Sequence, residues 1–170
     1  MFRRLARPAL FALAAATSLS PVLAADFKPV TDATLLAPDP ADWLMISRTF
    51  DQQRFSPLAE INKGNVGDLR MAWSRGLSQG TQESTPLVHD GVMYVIAPGA
   101  NVLALDAATG DVVWSYIREY PKDLAQKNRS PAQARSKNLA IYEDMIYLAA
   151  ADGFLVALDA RTGKVRWETK

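Results

Sequence analysis

The 170-residue sequence contains no cysteine and one histidine, His89. Without cysteine, thiol catalysis, cysteine-ligated metals and disulfides are excluded. One histidine is too few for a metal site built from histidines. The charges balance, with 19 lysines and arginines against 18 aspartates and glutamates. This balance offers no basic patch for nucleic acid and no polybasic run for a lipid surface.

Residues 1–24 have the composition of an export signal. Three arginines form a basic start, a short apolar stretch follows, and residues 22–24 form a small-residue cleavage site. The apolar stretch, interrupted by Pro21, falls short of the roughly 20 residues that a transmembrane helix needs. We therefore expect an exported protein with a cleavable signal peptide and no stable membrane span. Removal of the signal would leave 16 basic and 18 acidic residues.

The sequence repeats itself at an offset of 53 residues. Residues 92–114 and 145–167 align without a gap, and both end on Ala-x-Asp-x-x-Thr-Gly-x-x-x-Trp. Repeats of this length built from short strands are typical of β-propellers, in which each repeat is one four-stranded blade. The residues after the signal hold fewer than three such blades, whereas closed propellers have about four to eight. We interpret the chain as the N-terminal part of a longer protein, with closure by several copies as the alternative.

Turn signals and β-branched runs divide each repeat into four predicted strands. These strands cover residues 85–89, 92–97, 101–106 and 112–117 in the first repeat, and 138–142, 145–150, 154–159 and 165–169 in the second. Asp90 and Gly91 predict the first hairpin turn. Residues 118–136, between the repeats, are longer and more charged than a tight connection requires, which is compatible with a functional loop or a solvated insertion. Within them, residues 121–125 are compatible with one helical turn.

A lead-in segment precedes the repeats. The predicted divisions are a signal peptide over 1–24, the lead-in over 25–62 and incomplete propeller repeats over 63–170. Thr31 and Asp39 are predicted helix starts, and Asn62 or Asn65 is a predicted cap for a single turn. Residues 69–73 end on a tryptophan and predict the outer strand of a blade whose other strands are not in this chain.

Each residue type in the repeated motif has a structural role. The aspartate side chain caps a turn, and the glycine supplies the positive φ that the turn needs. The tryptophan offers a flat face to the neighbouring blade and an indole N–H that needs an acceptor there. We therefore interpret Asp106 and Asp159 as turn residues rather than as a catalytic pair. Asp144 and Asp152 lie in predicted hairpin turns, where aspartate is common for local reasons.

The paired motifs, the export signal and residues 82–94, QESTPLVHDGVMY, resemble the quinoprotein alcohol dehydrogenases, the methanol and ethanol dehydrogenase family. The lead-in sequence RFSPL at 54–58, followed by Ile61 and Asn62, is similar to the N-terminal segment of that family. The resemblance covers residue 27 to the end. It implies an all-β, eight-bladed propeller of which this chain is about the first quarter. It also implies pyrroloquinoline quinone (PQQ), a calcium or lanthanide ion, a small alcohol substrate, a periplasmic location and electron transfer to a cytochrome c.

The repeat offset indicates where a site would lie. Glu83 precedes the first innermost strand. The 53-residue offset aligns Ser136 with Glu83 and Lys137 with Ser84. We expect Glu83 and Lys137 near the channel mouth in adjacent blades, although a solvated loop acid and a surface lysine are the alternatives. The resemblance implies that Glu83 contacts PQQ and that Lys137 lies against the quinone oxygens. The family usually has arginine there, and lysine lacks its planar fork but still supplies a cation.

The sequence departs from the family at one further place. Many members carry adjacent cysteines just before the basic position, whereas the counterparts here are Pro131 and Ala132. This difference implies an atypical substrate or electron acceptor. Metal ligands and the catalytic base are expected beyond Lys170, so we assign no catalytic or metal-binding residue within the chain and expect it to be inactive alone. The alternatives are a non-enzymatic propeller scaffold of the outer-membrane assembly type and a polyol or sugar quinoprotein dehydrogenase.

Overall fold

The computed structural model describes residues 27–121 and 137–170. The predicted signal peptide, most of the predicted helical turn at 121–125, and Pro131 and Ala132 lie outside the described residues. Within the described ranges, no helix is long and apolar enough to cross a bilayer.

The two repeats form two four-stranded antiparallel sheets. The first sheet contains β1 (Leu87–His89), β2 (Val92–Ala97), β3 (Asn101–Asp106) and β4 (Val112–Tyr116), and the second contains β5 (Leu139–Tyr142), β6 (Met145–Ala149), β7 (Leu155–Asp159) and β8 (Val165–Thr169). The strands of each sheet are hydrogen-bonded in chain order. Both sheets have an irregularity at the same place in their third strand, after Ala104 and after Ala157. All eight predicted strands are confirmed, with ends that differ by at most two residues.

The turns depend on the residues that the motif predicts. Asp90 and Gly91 have φ of 48° and 78°, which is the left-handed pair of a tight hairpin. The Asp106 carboxylate accepts the backbone N–H of Ala108 and of Thr109, each at 2.9 Å. Asp159 accepts the equivalent two backbone N–H groups at 3.1 and 3.0 Å. The prediction that the two motif aspartates are turn residues is therefore confirmed.

The tryptophan of the first blade lies on the glycine of the second. Gly163 has a φ of 69°, and a Cβ atom placed on it would come within 2.4 Å of the Trp114 ring. The Trp114 indole N–H donates to the Ala160 carbonyl at 2.9 Å. The Tyr94 hydroxyl donates to the same oxygen at 3.2 Å, and burial raises the pKa of Tyr94, so this donor keeps its proton. Two buried donors and one ring face thus fasten one blade to the next.

Trp73 makes the same contact with the first blade from outside any sheet. A Cβ atom on Gly110 would lie 2.5 Å from the Trp73 ring, and the indole N–H donates to the Ala107 carbonyl at 3.1 Å. The prediction of a strand over residues 69–73 is wrong for the described chain, because a strand needs a neighbouring backbone and none pairs with this segment there. Trp73 lies 34 residues before its acceptor, whereas Trp114 lies 46 residues before its own.

The lead-in contains one short helix instead of the two that the sequence predicts. Helix α1 (Asp32–Leu36) begins after Thr31, whose hydroxyl accepts the Thr34 backbone N–H, as predicted. The helix predicted from Asp39 is wrong. Asp39 instead accepts the Ala41 N–H in a local turn at 2.9 Å, and the two backbone groups of Trp43 bond to Val88 of β1. The backbone at Trp43 is therefore extended and bridged to β1, and an extended backbone cannot be helical at the same time.

A single turn of 3₁₀-helix (Val66–Asp68) confirms the short turn predicted near Asn62 and Asn65. Asn65 precedes the turn, but its side chain does not cap it. The Asn65 side-chain oxygen accepts the Asn62 backbone N–H at 2.8 Å instead. The asparagines therefore shape the loop that leads into the turn.

The lead-in is fastened to both blades. Val30 forms a backbone bridge with Glu143 of the second blade, and Trp43 forms one with Val88 of the first. The His89 ring, buried at the end of β1, bonds to the Asp42 carboxylate at 2.8 Å through Nδ1 and to the Lys28 carbonyl at 2.7 Å through Nε2. Because the lead-in contacts both sheets, it holds the two blades together independently of the tryptophan contact.

The hydrophobic core lies between the two sheets and beneath the lead-in. Its buried members come from all three parts of the described chain. They include Val30, Leu44, Leu87, Tyr94, Ile96, Val102, Ala104, Trp114, Leu139, Ile141, Ile146, Leu148, Val156 and Leu158. The outer face of the second blade is less covered, and its own motif tryptophan, Trp167, is 40% exposed. The second blade therefore exposes Trp167 on its outer face, at the position where the first blade uses Trp114 to contact the second.

The docking contact predicts unequal costs for two glycine substitutions in the second blade. Gly163→Ala places a methyl group into the Trp114 ring, whereas Gly153→Ala, at a φ of 87°, has no atom within 4 Å. Both variants carry the strain of a positive φ, which is about 1–2 kcal/mol. We expect Gly163→Ala to cost about 1–3 kcal/mol more than Gly153→Ala in urea unfolding of the chain. Equal losses would contradict the tryptophan docking contact.

Candidate cofactor-binding face

The antiparallel order of the strands separates the two ends of each blade. Three features of the described chain lie at one end, which we call the entry end. They are the chain entry into β1 and β5, the chain exit from β4, and the β2–β3 and β6–β7 turns. The Ser84 hydroxyl, before β1, donates to the Ile96 carbonyl near the β2–β3 turn at 3.3 Å. The motif turns and the lead-in bridge to Glu143 lie at the opposite end. The docking motif is thus separate from any site at the entry end.

Glu83 and Lys137 meet at the entry end. The Lys137 Nζ lies 3.6 Å from a Glu83 carboxylate oxygen, across the two blades. The Lys137 side chain is 65% exposed and that of Glu83 is 35% exposed. An exposed pair at this distance contributes little to stability, so the cation can turn toward another anion at low cost. The expected juxtaposition of an acid and a base from adjacent blades is confirmed, whereas their contact with a cofactor stays a prediction.

Arg118, the second residue after β4, is the centre of a second charged group at this end. Its guanidinium binds Asp152, in the β6–β7 turn, through two nitrogens at 3.0 and 2.8 Å. A third nitrogen bonds to Glu168 of β8 at 2.9 Å, and the group lies 4.9 Å from the centre of the Phe154 ring. The Arg118 and Asp152 side chains are each less than one-tenth exposed. This network ties the start of the inter-blade connection to the second blade.

The protonation of Arg118 follows from these contacts. Burial acts to lower the pKa of Arg118, but its hydrogen bonds to Asp152 and Glu168 raise the pKa above its usual range. The guanidinium therefore stays charged, as a buried cation with two carboxylate partners should.

Asp144 and Asp152 each form an ion pair that the sequence did not predict. Both aspartates lie in turns, as predicted, but the explanation by local turn chemistry is wrong for their carboxylates. Asp152 binds Arg118, and Asp144 accepts a hydrogen bond from Arg166 at 3.1 Å. The partners are 34 and 22 residues away, so no local pattern would have revealed them. An arginine at the start of a long connection is the only signal available in the sequence.

Glu83 and Lys137 are partly exposed at the entry end. A cavity of about 480 Å³ lies elsewhere, between the lead-in and the second blade, and is lined by Phe27, Pro29, Thr31, Glu143, Asp144 and Arg161. Among residues 27–121 and 137–170, no three acidic or histidine side chains form a metal-binding group. Glu83 and Lys137 nevertheless suit an anionic, hydrogen-bonding cofactor, because an exposed ammonium and a carboxylate converge where two innermost strands begin.

The two sheets are joined by a tryptophan that packs on a glycine, and charged residues lie where the innermost strands begin. These features define consecutive blades of a β-propeller. The family model for the PQQ β-propeller domain of glucose, ethanol and alcohol dehydrogenases matches residues 43–168. The chain therefore belongs to the quinoprotein alcohol dehydrogenase family, whose members are PQQ-dependent oxidoreductases.

Individual relatives agree with this assignment. The chain is 43% identical over 129 residues to the dehydrogenase subunit of the quinone alcohol dehydrogenase of Gluconobacter oxydans, covering 75% of this chain and 17% of that protein. It is 42% identical over 117 residues to the 1-butanol dehydrogenase (cytochrome c) of Thauera butanivorans, covering 68% and 16%. A solved europium-containing methanol dehydrogenase superposes with a TM-score of 0.69 at 31% identity, covering 79% of this chain and 24% of that one. The chain thus spans about a sixth to a quarter of these relatives.

The Arg118 network predicts a large effect for Asp152→Asn and a small one for Asp144→Asn. Removing the Asp152 charge leaves a buried guanidinium with Glu168 as its remaining carboxylate, which should cost about 3 kcal/mol. Asp144 is 41% exposed, and its loss should cost less than about 1 kcal/mol. Denaturant unfolding of both variants measures the difference. A small loss for Asp152→Asn would contradict the proposed importance of this network.

Proposed function

We propose that this chain is the N-terminal portion of an exported, periplasmic PQQ-dependent dehydrogenase that oxidises a small alcohol and passes electrons to a cytochrome c. The observation that carries the proposal is the meeting of Glu83 and Lys137 at the entry end of two tryptophan-docked blades. The family match and the names of the relatives, among them a cytochrome c-linked butanol dehydrogenase, support the reaction class and the electron acceptor. The basic and apolar composition of residues 1–24 supports export.

Glu83 and Lys137 would hold PQQ by complementary contacts. PQQ carries three carboxylates, so the Lys137 ammonium would balance negative charge beside it. Lys137 lies within 3.6 Å of Glu83, which makes it the bridging donor that the glutamate needs next to an anionic molecule. When bound, PQQ accepts the two electrons removed from the alcohol. Lys137 would then stabilise negative charge at a quinone oxygen, a task that any positioned cation can perform.

The remainder of the active site would come from other blades. No described residues of this chain form a metal-binding group, so the calcium or lanthanide ion would be held by ligands outside those ranges. The europium in the name of one structural relative supports a lanthanide as one choice of metal. The general base would be supplied in the same way. These two blades would therefore lack activity alone.

The assignment of Glu83 predicts a specific loss of cofactor affinity. In the longer polypeptide that carries this segment, Glu83→Ala should weaken PQQ binding at least about tenfold, because a hydrogen bond to a charged group contributes about 1.5–3 kcal/mol. Asp106→Ala removes a turn cap at the opposite end and should lower stability without changing PQQ affinity. Quinone titration of both variants measures this. An equal loss of affinity in the two variants would contradict a contact between Glu83 and the cofactor.

The proposal also predicts a difference between the short and the long polypeptide. With PQQ, calcium or a lanthanide ion, an artificial electron acceptor and short primary alcohols, the longer polypeptide should reduce the acceptor. The 170-residue chain should not, because the metal ligands and the base would be supplied by other blades. Lack of activity in the longer polypeptide with every metal and alcohol tested would favour the non-enzymatic scaffold.

A further inference from the structure

The lead-in buries a cation that has no partner among the described residues. Arg48 is 8% exposed, and its Nε atom makes no hydrogen bond there. No carboxylate of residues 27–121 or 137–170 forms an ion pair with it, in contrast to the equally buried Arg118. The guanidinium is always charged at physiological pH. A charged group with a buried, unpaired nitrogen carries a desolvation cost that an anion would offset.

A second donor on the same segment is also unmatched. The indole N–H of Trp43 is buried and has no acceptor among the described residues, although its backbone is bonded to Val88. Most buried polar atoms in folded proteins find a hydrogen-bond partner. Each of these two lead-in donors, five residues apart in the sequence, therefore indicates a position where an acceptor is to be supplied.

The chemistry of the donors selects the acceptor. A planar guanidinium matches a carboxylate, which can take two parallel hydrogen bonds from it. Ile46 and Phe50, each two positions from Arg48 in the sequence, are apolar and exposed, at 48% and 65%. Such flanks suit a carboxylate embedded in an apolar surface rather than a small, fully hydrated anion.

We propose that Arg48, with Trp43 and the flanking Ile46 and Phe50, is a docking site for a polypeptide segment that presents one carboxylate among apolar side chains. In the relatives, about three-quarters or more of the polypeptide has no counterpart in this chain, so a large partner surface of the same propeller is available there. The site lies on the lead-in and needs no quinone. Its test is therefore independent of the proposed enzymatic activity.

Thermal unfolding of the 170-residue chain with small carboxylates tests the site. At a concentration of roughly ten times its dissociation constant, hexanoate should raise the unfolding midpoint by about 4 °C. At equal ionic strength, this increase should be larger than the increase that acetate, chloride or hexanol causes. Arg48→Gln should abolish the response to hexanoate, and Arg48→Lys should reduce it severalfold because the fork is lost. Arg54→Gln is the matched control, since Arg54 lies on the same segment with a similar φ, 54° against 67°, but is exposed.

The stability of the variants distinguishes a carboxylate site from a general effect of salt or of apolar solutes. Without added carboxylate, Arg48→Gln should be at least as stable as the parent, because an uncompensated buried charge has been removed. The site would be overturned if the parent showed no midpoint shift with hexanoate, or if Arg48→Gln showed an equal shift. Should Arg48→Gln not fold, an undiminished response in Arg48→Lys would likewise overturn the site. Equal shifts with acetate and hexanoate would overturn the apolar character of the partner. Self-association that depends on Arg48, seen by sedimentation, would identify a second copy as the occupant and overturn the proposed one.

Discussion

The indole ring of a docking tryptophan needs a surface without a side chain, and this need governs how the two blades meet. Gly163 provides that surface because it has no Cβ, and its positive φ is one that glycine adopts without strain. The same turn presents the Ala160 carbonyl to the indole N–H, and Asp159 holds the turn in shape. One short motif therefore encodes both halves of the joint, the tryptophan for the next blade and the receptor for the previous one.

The two ends of the blades have different tasks. At one end, the motif turns and the lead-in bridges fix the position of each sheet. At the entry end, Glu83 and Lys137 form a charge pair that remains partly exposed to solvent. This separation allows a rigid joint and an adaptable surface in the same small sheet. Arg118 connects them, because its buried pair with Asp152 holds the entry-end connection against the second blade.

Local patterns in the sequence predicted the strands, the turns and the tryptophan contact, because each depends on residues that are neighbours or that recur at the 53-residue offset. The same offset brought the two proposed cofactor ligands together. Three features could not be predicted in this way. The bridge between Trp43 and Val88 replaced a helix through a tertiary contact, the pair of Arg118 and Asp152 joins distant segments, and the burial of Arg48 contradicts the usual exposure of arginine. All three depend on which segments meet in space, and the repeat pattern is silent on that.

The two tryptophan contacts span chain lengths that differ by 12 residues, 34 for Trp73 and 46 for Trp114, yet they join equivalent atoms. Since each tryptophan contacts the motif turn of the next blade through its ring and indole N–H, the additional residues need not disturb that contact. Extra chain is instead accommodated between β4 and β5, at the end of the sheets where Lys137 lies. Insertions and deletions can therefore accumulate beside the proposed cofactor site while the ring geometry stays constant. An architecture of this kind can vary the surroundings of that site by changing loop length, with no need to redesign its scaffold.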